Sequence, residues 1–535
     1  MLLVIQVGLW IYHAVLSSRM KHSEGIIAIN QRHLDRICGN WTKFSDTGEE
    51  FIDTGHPYGC DLDIVGKKSL FQFLNTTHTW HGRQAFANDL LHASYSWQQI
   101  YQRQEAVREL SQNNSLSNEL EYCFSKIGID SSSKNLVQDL QDEQPFMKNK
   151  FLRIFLTYFP ILPVVFIGLS LFFHMKQFYY PAFICITFQL ILWMFGSAAI
   201  NKYIQSINRL PFQLNAYSDV LKIIEDSKFT SKKLQHIQAG LISSEVSAAQ
   251  AIHELIKITN KVNIRSNPYF YFILNGLLLW DYECAFMLEA WKAKYAQHCE
   301  QWFLAFGELE SLLCFATLPK VCNHTCFPQH LKKRGIKAVA IGHPLLSNSS
   351  RVTNDLQLDN SILIISGSNM SGKTTYLRSA GINIVLARAG GPVCASQMKC
   401  SDLHIVTSMR IADDLSGGIS TFYAELKRIK SILDTAGKDA DTLFLIDEIF
   451  RGTNSVDRLC GAQTVITKLS QLNVIGMITT HDLDLCELQN EIIGIQNFSF
   501  SEYYKNGEIC FDYKMRSGKS QTTNAKYLME LIGIS

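Results

Sequence analysis

The residues best placed to do chemistry lie in one glycine-rich octapeptide, Gly-Ser-Asn-Met-Ser-Gly-Lys-Thr, at positions 367–374. It fits the pattern G-x-x-x-x-G-K-[ST], in which backbone N–H groups cradle phosphates. An apolar run at 362–365 predicts a buried strand before it, and residues 374–389 predict a helix after it. A strand, a glycine loop and a helix N-terminus together form an anion site. We therefore expect the chain to bind a nucleoside triphosphate through Gly367, Ser368, Asn369, Met370, Ser371, Gly372, Lys373, Thr374 and Thr375.

Two carboxylates follow the next strong strand pattern. Lys373 is expected to reach the β- and γ-phosphates, and the Thr374 hydroxyl to bind Mg²⁺. The apolar run at 443–446 predicts a buried strand that ends at Asp447 and Glu448. Ligands bind beyond the carboxyl ends of strands in α/β sheets. Asp447 then fits a Mg²⁺ carboxylate, and Glu448 fits the general base that polarises the attacking water.

Two further segments carry polar groups near predicted element ends. A strand at 474–480 precedes His481, which is placed to sense the γ-phosphate or to align the water. Small and hydroxyl residues at 413–422 precede a helix that starts near Ala424, and such a helix N-terminus can hold a phosphate. Since the chain already has one phosphate loop, the second would act in trans on a partner subunit. The simpler alternative is a capped loop, with Ser420 or Thr421 as the N-cap.

Bulk composition excludes some classes of protein. The 535 residues suffice for two to four domains, and 50 basic against 48 acidic residues give a net charge of +2. A chain so balanced is not one that coats nucleic acid, so any DNA contact needs a local patch. The 14 cysteines show no regular framework, which indicates reduced thiols in a cytosolic compartment.

Two neighbouring segments have the length and composition of membrane spans. Residues 154–173 and 179–200 contain no charged side chain, and each is close to the ~20 residues that cross a bilayer as a helix. Lysine and arginine flank the pair at 148, 150, 153 and 202, which places both ends in the cytoplasm. The sequence thus predicts a transmembrane hairpin at 151–202, a pair of buried core helices being the alternative. Residues 2–16 are a second candidate, either a short membrane segment or an amphipathic surface helix.

The remaining pattern is helical before residue 319 and alternates strands with helices after residue 336. The apolar stretch 269–280 is too short to span a bilayer and is expected in the core. Residues 319–335 are interpreted as a linker. Near the C-terminus, Asn506-Gly507 lies between two strand-like runs and predicts a β-hairpin.

These motifs, in this order, resemble the MutS family, whose ATPase domain belongs to the ABC-type P-loop class. The matching residues cover about the last 200 of the chain: 343–345, 352–355, 368–378, 413–425, 447–455, 480–482, 512–518 and 524–525. A looser likeness to the family's core domain covers 61–66, 69–71, 82–83 and 103–104. The resemblance implies a homodimer of ATPase domains arranged head to tail. In it Ser420 faces the partner's nucleotide, while Lys373, Thr374, Asp447, Glu448 and His481 act in cis.

The expected fold class is α plus α/β: a helical core and lever region with a transmembrane hairpin, followed by an ABC-type P-loop domain. The expected domains are 1–21 as a candidate membrane segment, 22–150 as a core-like region, 151–202 as the hairpin, 203–335 as a lever-like region with its linker, and 336–535 as the ATPase domain. The family's mismatch-reading N-terminal domain and its DNA clamp have no counterpart, and no appended nuclease domain is expected. Mismatch recognition therefore does not carry over.

The sequence leaves three functions open. The first is a MutS-like, Mg²⁺-dependent ATPase, anchored in the inner (cytoplasmic) membrane with its ATPase domain in the cytoplasm, which binds DNA in a repair-related role. The second is a membrane-bound, ATP-driven switch that acts on a protein partner without DNA. The third, a transporter, ranks last because two or three spans make too thin a pathway. The DNA role rests on family analogy alone.

Overall fold

The computed structural model describes residues 1–128, 150–208, 211–243, 246–410, 421–437, 441–450, 454–472, 474–505 and 508–520. The chain divides into two compact units that interleave along the sequence. Unit 1 comprises Met1–Ile26, Thr77–Ala85 and Ser115–Ser311, and unit 2 comprises Ile27–Thr76, Phe86–Asn114 and Leu312–Ser535. The linear domain boundaries stay predictions, since each unit draws on several of the predicted segments.

The regular secondary structure described before residue 322 consists of helices. In chain order they are α1 (Leu2–Ile37), α2 (Leu70–Leu74), α3 (Trp80–Leu91), α4 (Trp97–Gln112), α5 (Asn114–Ser125), α6 (Lys150–Tyr158), α7 (Ile161–Phe173), α8 (Tyr179–Asn208), α9 (Pro211–Asp226), α10 (Lys232–Gln238), α11 (Ala248–Asn263), α12 (Pro268–Leu278) and α13 (Trp280–Val321). The N-terminal apolar segment is part of a single 36-residue helix.

The predicted hairpin forms as three helices, α6, α7 and α8. A turn at Phe159-Pro160 separates α6 from α7, and His174 reverses the chain in a left-handed conformation before α8. Its large apolar side chains are mostly exposed, including Phe172, Phe183 and Phe195. That exposure argues against a pair of buried core helices. By length and composition, 151–173 and 176–196 could cross a membrane, and so could helices α1 and α13, although α13 is largely buried.

The structure departs most clearly from the sequence prediction at the apolar stretch 269–280, which is expected in the core. It forms α12, and Tyr269, Phe270, Phe272 and Ile273 are each more than half exposed. The prediction of a core segment is therefore wrong for most of this helix. Periodicity and the absence of charge identify an apolar helix, but they do not say what covers it.

Unit 1 also buries an acidic side chain, Glu310 on α13. Its carboxylate accepts hydrogen bonds from the backbone N–H of His78 at 2.6 Å, from the backbone N–H of Thr79 at 3.2 Å and from the Thr79 hydroxyl. Burial raises the pKa of Glu310 to about 7, against the opposing effect of these donors and with a smaller rise from Glu121. A carboxyl in an apolar interior favours its neutral form because the charged form loses its hydration.

Unit 2 contains two sheets. The strands are β1 (Gln329–His330), β2 (Gly335–Ile341), β3 (Asn354–Asp359), β4 (Ile362–Ser366), β5 (Gln397–Cys400), β6 (His404–Ser408), β7 (Thr442–Asp447), β8 (Val474–Thr480), β9 (Ile495–Lys505) and β10 (Glu508–Ser517). The helices that alternate with these strands are α14 (Lys373–Arg388), α15 (Thr421–Ala436), α16 (Ser455–Ser470) and α17 (Leu488–Glu491). The smaller sheet has the order β1-β5-β2-β3, and the larger has the order β10-β9-β4-β8-β7-β6. The mixed α and β composition agrees with the predicted fold class.

The larger sheet sets the position of the candidate site. Strands β9, β4, β8, β7 and β6 run parallel, so their carboxyl ends share one edge. Strand β8 lies between β4 and β7, and its register places Ser366 beside Thr480 and Asp447 beside Thr479. Buried apolar side chains such as Ile364, Phe444 and Ile478 hold this centre together. The three strand ends predicted to carry chemistry are therefore neighbours.

Two smaller predictions can be placed against the structure. Within 319–335, helix α13 continues to Val321, Cys326 bridges to Val393, and β1 pairs with β5, so much of this stretch belongs to unit 2 instead of forming a free linker. Strands β9 and β10 pair in antiparallel fashion from Lys505 and Glu508 onward, as the hairpin prediction requires. The turn residues Asn506-Gly507 lie outside the described residues.

Candidate functional site

The glycine loop, residues 367–372, joins β4 to α14 and needs its glycines. Gly367 and Gly372 have φ values of +147° and +105°, in the region that side chains with a Cβ avoid. A Cβ on Gly367 would lie 2.6 Å from the carbonyl oxygen of Phe500, and one on Gly372 would lie 3.1 Å from the ring of Tyr513. Neither glycine can be replaced without moving the loop.

Lys373 lies in the first turn of α14 with its side chain buried. Its ammonium donates hydrogen bonds of 2.8 Å to the carbonyl oxygens of Gly367 and Ser368, so it holds the loop from within. Ser368 donates through its hydroxyl to a Glu502 carboxylate oxygen at 2.8 Å. The loop backbone is thus fixed at both ends before any ligand binds.

One specific observation indicates that the loop can bind a phosphate group. The hydroxyl of Ser371 is buried and has no hydrogen-bond partner among the described residues. A buried polar atom without a partner carries a desolvation cost, which a ligand oxygen would relieve. Since a 16-residue helix also begins at Lys373, its N-terminal N–H groups and dipole favour an anion at the same place.

A cleft of about 530 Å³ opens beside the loop. Most of the predicted loop residues line it, with Glu448 and a wall from the preceding segment: Asn369, Met370, Ser371, Gly372, Lys373, Thr374, Thr375, Ile341, His343, Leu346, Val352 and Asn354. Burial lowers the pKa of His343 to about 3, assisted by Arg378 and Arg351, so its imidazole is neutral at physiological pH. The cleft therefore combines an apolar and neutral wall with a polar, anion-binding floor.

Thr374 and Asp447 meet as predicted for a metal site. The Thr374 hydroxyl lies 3.0 Å from both carboxylate oxygens of Asp447, and the Thr479 hydroxyl donates to the same carboxylate at 2.6 Å. A hydroxyl and a carboxylate side by side are the hard oxygen ligands that Mg²⁺ prefers. The residues present thus fit this ion.

Glu448 is held where the chain leaves β7. Its backbone N–H donates to the hydroxyl of Thr479 at 3.0 Å, and its φ of +55° is unusual for a residue with a side chain. The turn directs the carboxylate away from the sheet core, and a carboxylate oxygen lies 2.7 Å from the Nε2 of His481. The predicted base and the predicted histidine therefore form a contacting pair.

The residue that follows His481 is fixed as well. Asp482, the next residue, donates through its N–H to the Thr480 hydroxyl and accepts from Arg458 on α16 at 2.8 Å. Loop residues after Glu448 are also anchored, because the buried Glu425 on α15 accepts the N–H of Phe450 at 2.5 Å. Thr479 and Glu425 support the site, and sequence reasoning did not assign either a role.

A second set of residues that the sequence analysis missed comes from the segment 57–63. The buried Asp61 accepts hydrogen bonds from the Thr407 hydroxyl at 2.7 Å, the Met409 N–H at 3.0 Å and the Arg410 N–H at 3.1 Å. Arg428 on α15 donates to the same carboxylate at 2.8 Å. Asp61 thus fixes the chain directly before residue 411, where the segment with Ser420 begins.

Asp63 makes the matching contacts to the other side of the site. It accepts from Arg378 on α14 at 2.8 Å and from Arg410 at 2.5 Å and 3.0 Å. The two carboxylates together hold three arginines from the glycine-loop helix, the end of β6 and α15. Both lie in the 61–66 segment of the looser likeness, but no local pattern identifies their partners.

Some predicted residues cannot be placed. Ser420, with the rest of the 411–420 segment, lies outside the described residues, and so do Arg451-Gly452-Thr453 and Asn524-Ala525. Met370 lines the cleft but is 83% exposed, so it adds little to the binding surface. The other predicted loop residues, the two carboxylates and His481 all lie at one edge of the sheet.

Comparison with known proteins bears on the same part of the chain. A family model described as MutS domain V matches residues 363–534. The DNA mismatch repair protein MutS of Carboxydothermus hydrogenoformans is 34% identical over 201 residues, which cover 36% of this chain and 24% of the relative. The protein of the same name from Listeria welshimeri is 32% identical over 246 residues, covering 44% of this chain and 28% of the relative. The chain thus spans about a quarter of the length of the curated relatives it matches, and the similarity to MutS domain V covers residues 363–534.

Proposed function

We propose that this protein is a membrane-anchored ATPase of the MutS type, which binds Mg²⁺ and ATP at the glycine loop, hydrolyses ATP as a homodimer and acts on DNA in a repair-related role. The observation that carries the proposal is the meeting of four groups at one sheet edge: Lys373, Thr374 with Asp447, Glu448 and His481. They come from the first turn of α14 and from the ends of β7 and β8, and together they supply the parts of a phosphoryl-transfer site.

The chemistry assigns one role to each group. Lys373 and the N–H groups of the glycine loop bind the phosphates, a contact the ammonium makes in place of its present carbonyl partners. Thr374 and Asp447 would hold Mg²⁺, which supplies charge neutralisation at the phosphates when bound. Glu448 accepts the proton of the attacking water, and His481 keeps the Glu448 carboxylate oriented.

Membrane anchorage is supported by the exposed apolar surface of the hairpin α6–α8. Two of its segments could cross a membrane by length and composition, and basic residues flank both ends. We assign the hairpin to the inner membrane, and the positive-inside rule orients it with both ends, and the ATP site, on the cytoplasmic side. Outward-facing phenylalanines are costly in water and stable in lipid.

Pairing of two ATPase domains and action on DNA rest on the family. Relatives named DNA mismatch repair protein MutS match this chain through the region of the site. In the paired arrangement Ser420 of each chain would complete the partner's site. A protein-directed membrane switch remains the competing function, because about a quarter of each relative, and no more, is matched here.

The deciding experiment measures the ATPase rate of the detergent-purified, full-length protein. Assays run with no DNA, homoduplex, mismatched duplex and branched DNA, at two salt concentrations, and with Glu448→Gln protein as the baseline for contaminating activity. Stimulation by one DNA form that weakens at high salt supports the DNA role, since phosphate contacts release counterions. A rate indifferent to every DNA would overturn that role and leave the protein-directed switch.

A further inference from the structure

Helix α12 has a strongly apolar face that is exposed. Tyr269 is 82% exposed, Phe272 61% and Ile273 55%, and Phe270 and Leu277 are also exposed. The 11-residue helix contains no charged side chain. Exposed apolar clusters of this kind mark contact with another apolar phase or molecule.

Helix α12 also packs on α8, the second long leg of the hairpin. The ring of Trp193 lies 5.6 Å from that of Tyr271 and 5.4 Å from that of Phe272, both in edge-to-face geometry. A Cβ on Gly276 would be in ordinary contact with Leu190 at 3.5 Å. The exposed face of α12 is therefore continuous with the exposed apolar surface of the hairpin.

The contacts place α12 at one end of the hairpin. They involve Leu190 and Trp193, near the end of the 176–196 apolar segment that leads toward the basic residue 202. The first turns of α13, which directly follow, contact the basic end of the other leg: Arg153 lies 5.8 Å from the Phe286 ring, and Thr157 donates to Glu283 at 3.4 Å. By the positive-inside rule this is the cytoplasmic end.

Both ends of α12 are fastened by one buried ion pair. Arg265, before the helix, forms an ion pair with Asp281, after it, with 3.1 Å between the guanidinium nitrogen and a carboxylate oxygen, and the Asp281 side chain is fully buried. The carboxamide of Asn275 accepts the N–H of Asp281 at 3.0 Å, and its NH₂ donates to the carbonyl of Tyr271 at 3.1 Å. The chain thus enters and leaves the helix at the same place, and the backbone N–H of Asp281, just after the break between α12 and α13, has a hydrogen-bond partner.

Length excludes a full crossing. Eleven residues at 1.5 Å each give a helix of about 16 Å, roughly half of the ~30 Å hydrocarbon core. A non-spanning helix at membrane depth requires its backbone breaks to be satisfied by protein, as they are here. Aromatic side chains at the entry, Tyr269 and Tyr271, and Trp280 at the exit suit the lipid–water boundary.

We propose that α12 is a re-entrant helix embedded in the cytoplasmic leaflet, with its exposed face against the acyl chains of phospholipids. The inference rests on the proposed membrane anchorage and adds a second lipid-contacting element to it. Its occupant is the lipid of one leaflet; a second copy of α12 is the competing occupant, and the test separates the two.

The test places a photoreactive phenylalanine analogue, benzoylphenylalanine, at single positions of the full-length protein in phosphatidylcholine vesicles. Phe272→benzoylphenylalanine probes α12, and Phe183→benzoylphenylalanine, at an exposed position of α8, probes the hairpin. Leu304→benzoylphenylalanine is the matched negative control, an exposed apolar position on α13 outside this cluster. Each change is conservative in an exposed position, so folding is retained.

After irradiation, mass spectrometry detects addition of one phospholipid, and a denaturing gel detects a cross-linked dimer. We expect lipid adducts at positions 272 and 183 and no lipid adduct at position 304. A lipid adduct at 183 with none at 272 would overturn the re-entrant helix and leave the anchor intact. A dimer band at 272 in place of the lipid adduct would assign the face to a second copy. Absence of adducts at both 183 and 272 would reject the anchorage itself.

Discussion

In unit 2, hydrogen bonds hold Lys373 to the glycine loop and hold Asp447 and Glu448 to the end of β8, whereas in unit 1 the hairpin and α12 present apolar side chains that are exposed. The first arrangement depends on single atoms, so one substitution removes one step of the chemistry. The second depends on summed apolar area, so single substitutions matter little and whole segments matter a great deal.

Asp61 and Asp63 in unit 2 differ from Glu310 in unit 1 in the groups that surround their carboxylates. In unit 2, Asp61 and Asp63 face three arginines, and their contacts are charge-assisted. In unit 1, Glu310 is surrounded by neutral donors and a second acid, and its pKa rises to about 7. We therefore expect the stability contributed by Asp61 and Asp63 to depend on their charge, and the stability contributed by Glu310 to depend on its protonation.

The largest expected effect concerns the hairpin. Deleting residues 154–200 removes the apolar surface of two spans, and each buried large side chain contributes about 1.5–3 kcal/mol of membrane affinity. We expect complete release into the supernatant after a carbonate wash. A chain lacking residues 1–17 is the matched control and should still pellet. Continued pelleting of the hairpin deletion would shift the anchor to the N-terminal helix or to a partner.

Next is Glu448→Gln, which keeps the shape of the side chain and removes the base. Loss of general-base catalysis lowers kcat by about 100- to 10,000-fold, while ATP should remain bound. Radiolabelled ATP binding and steady-state hydrolysis measure the two parts separately. Glu491→Gln, at an exposed position at the end of α17, should leave both unchanged. Equal turnover by wild type and Glu448→Gln would refute the assignment of the base.

Lys373→Ala should act on binding first. A charge-assisted hydrogen bond is worth about 1.5–3 kcal/mol, so ATP affinity should fall roughly 10- to 150-fold. Isothermal titration with a non-hydrolysable ATP analogue measures this. Lys399→Ala removes an exposed lysine on β5 and is the control. Unchanged affinity in the Lys373 variant would exclude the glycine loop as the phosphate site.

Asp61→Asn tests the supporting carboxylate. The amide cannot accept all four donors as a carboxylate does, and it leaves Arg428 without its full counter-charge, so we expect a loss of about 1–3 kcal/mol in the free energy of unfolding. Urea unfolding of the detergent-solubilised protein measures it. Asp53→Asn, an exposed neighbour in the same segment, should cost far less. Equal losses in both variants would show that the buried contacts contribute nothing special.

The last prediction, of a size similar to that for Asp61→Asn, is a pH dependence in unit 1. Because the folded pKa of Glu310 is raised from 4.5 to about 7, the folded state binds more protons than the unfolded state between those values. Stability is therefore lost as pH rises, by about 2 kcal/mol between about pH 5 and pH 7. Glu310→Gln should remove this part of the slope, and Glu300→Gln, an exposed position on α13, should not. An unchanged slope in Glu310→Gln would assign the titration to another group.

Local patterns predicted most of the candidate site. The strands at 362–366, 442–447 and 474–480 and the helix after the glycine loop lie within one or two residues of their expected bounds. Glycine loops, apolar runs and the carboxylates that follow them are patterns of a few consecutive residues, so they can be recognised before the fold is known. The order β4-β8-β7, which makes the three strand ends neighbours, had no local signal.

Two features could not be predicted from the sequence, for different reasons. Asp61 meets Thr407 across 346 positions, and no periodicity encodes a pairing so distant. Helix α12 was assigned to the core because an apolar helix looks alike whether protein or lipid covers it. Exposure is a tertiary property, and Tyr269 and Phe272 show it only once α8 and α13 are in place.

The interleaving of the two units has a consequence for synthesis on the ribosome. Residues 27–76 and 86–114 emerge early, but their partners in unit 2 begin at residue 312, after the hairpin has already been made. At about 5–20 residues per second, the last 224 residues take roughly 10–45 s, and the early segments wait through that time without their arginine partners. We expect nascent chains stalled at residue 311 to be cut by protease within 27–76, and released full-length chains to resist. Insertion of the hairpin into the membrane would then precede the folding of unit 2. The chain would be attached to the membrane before the candidate ATP site forms.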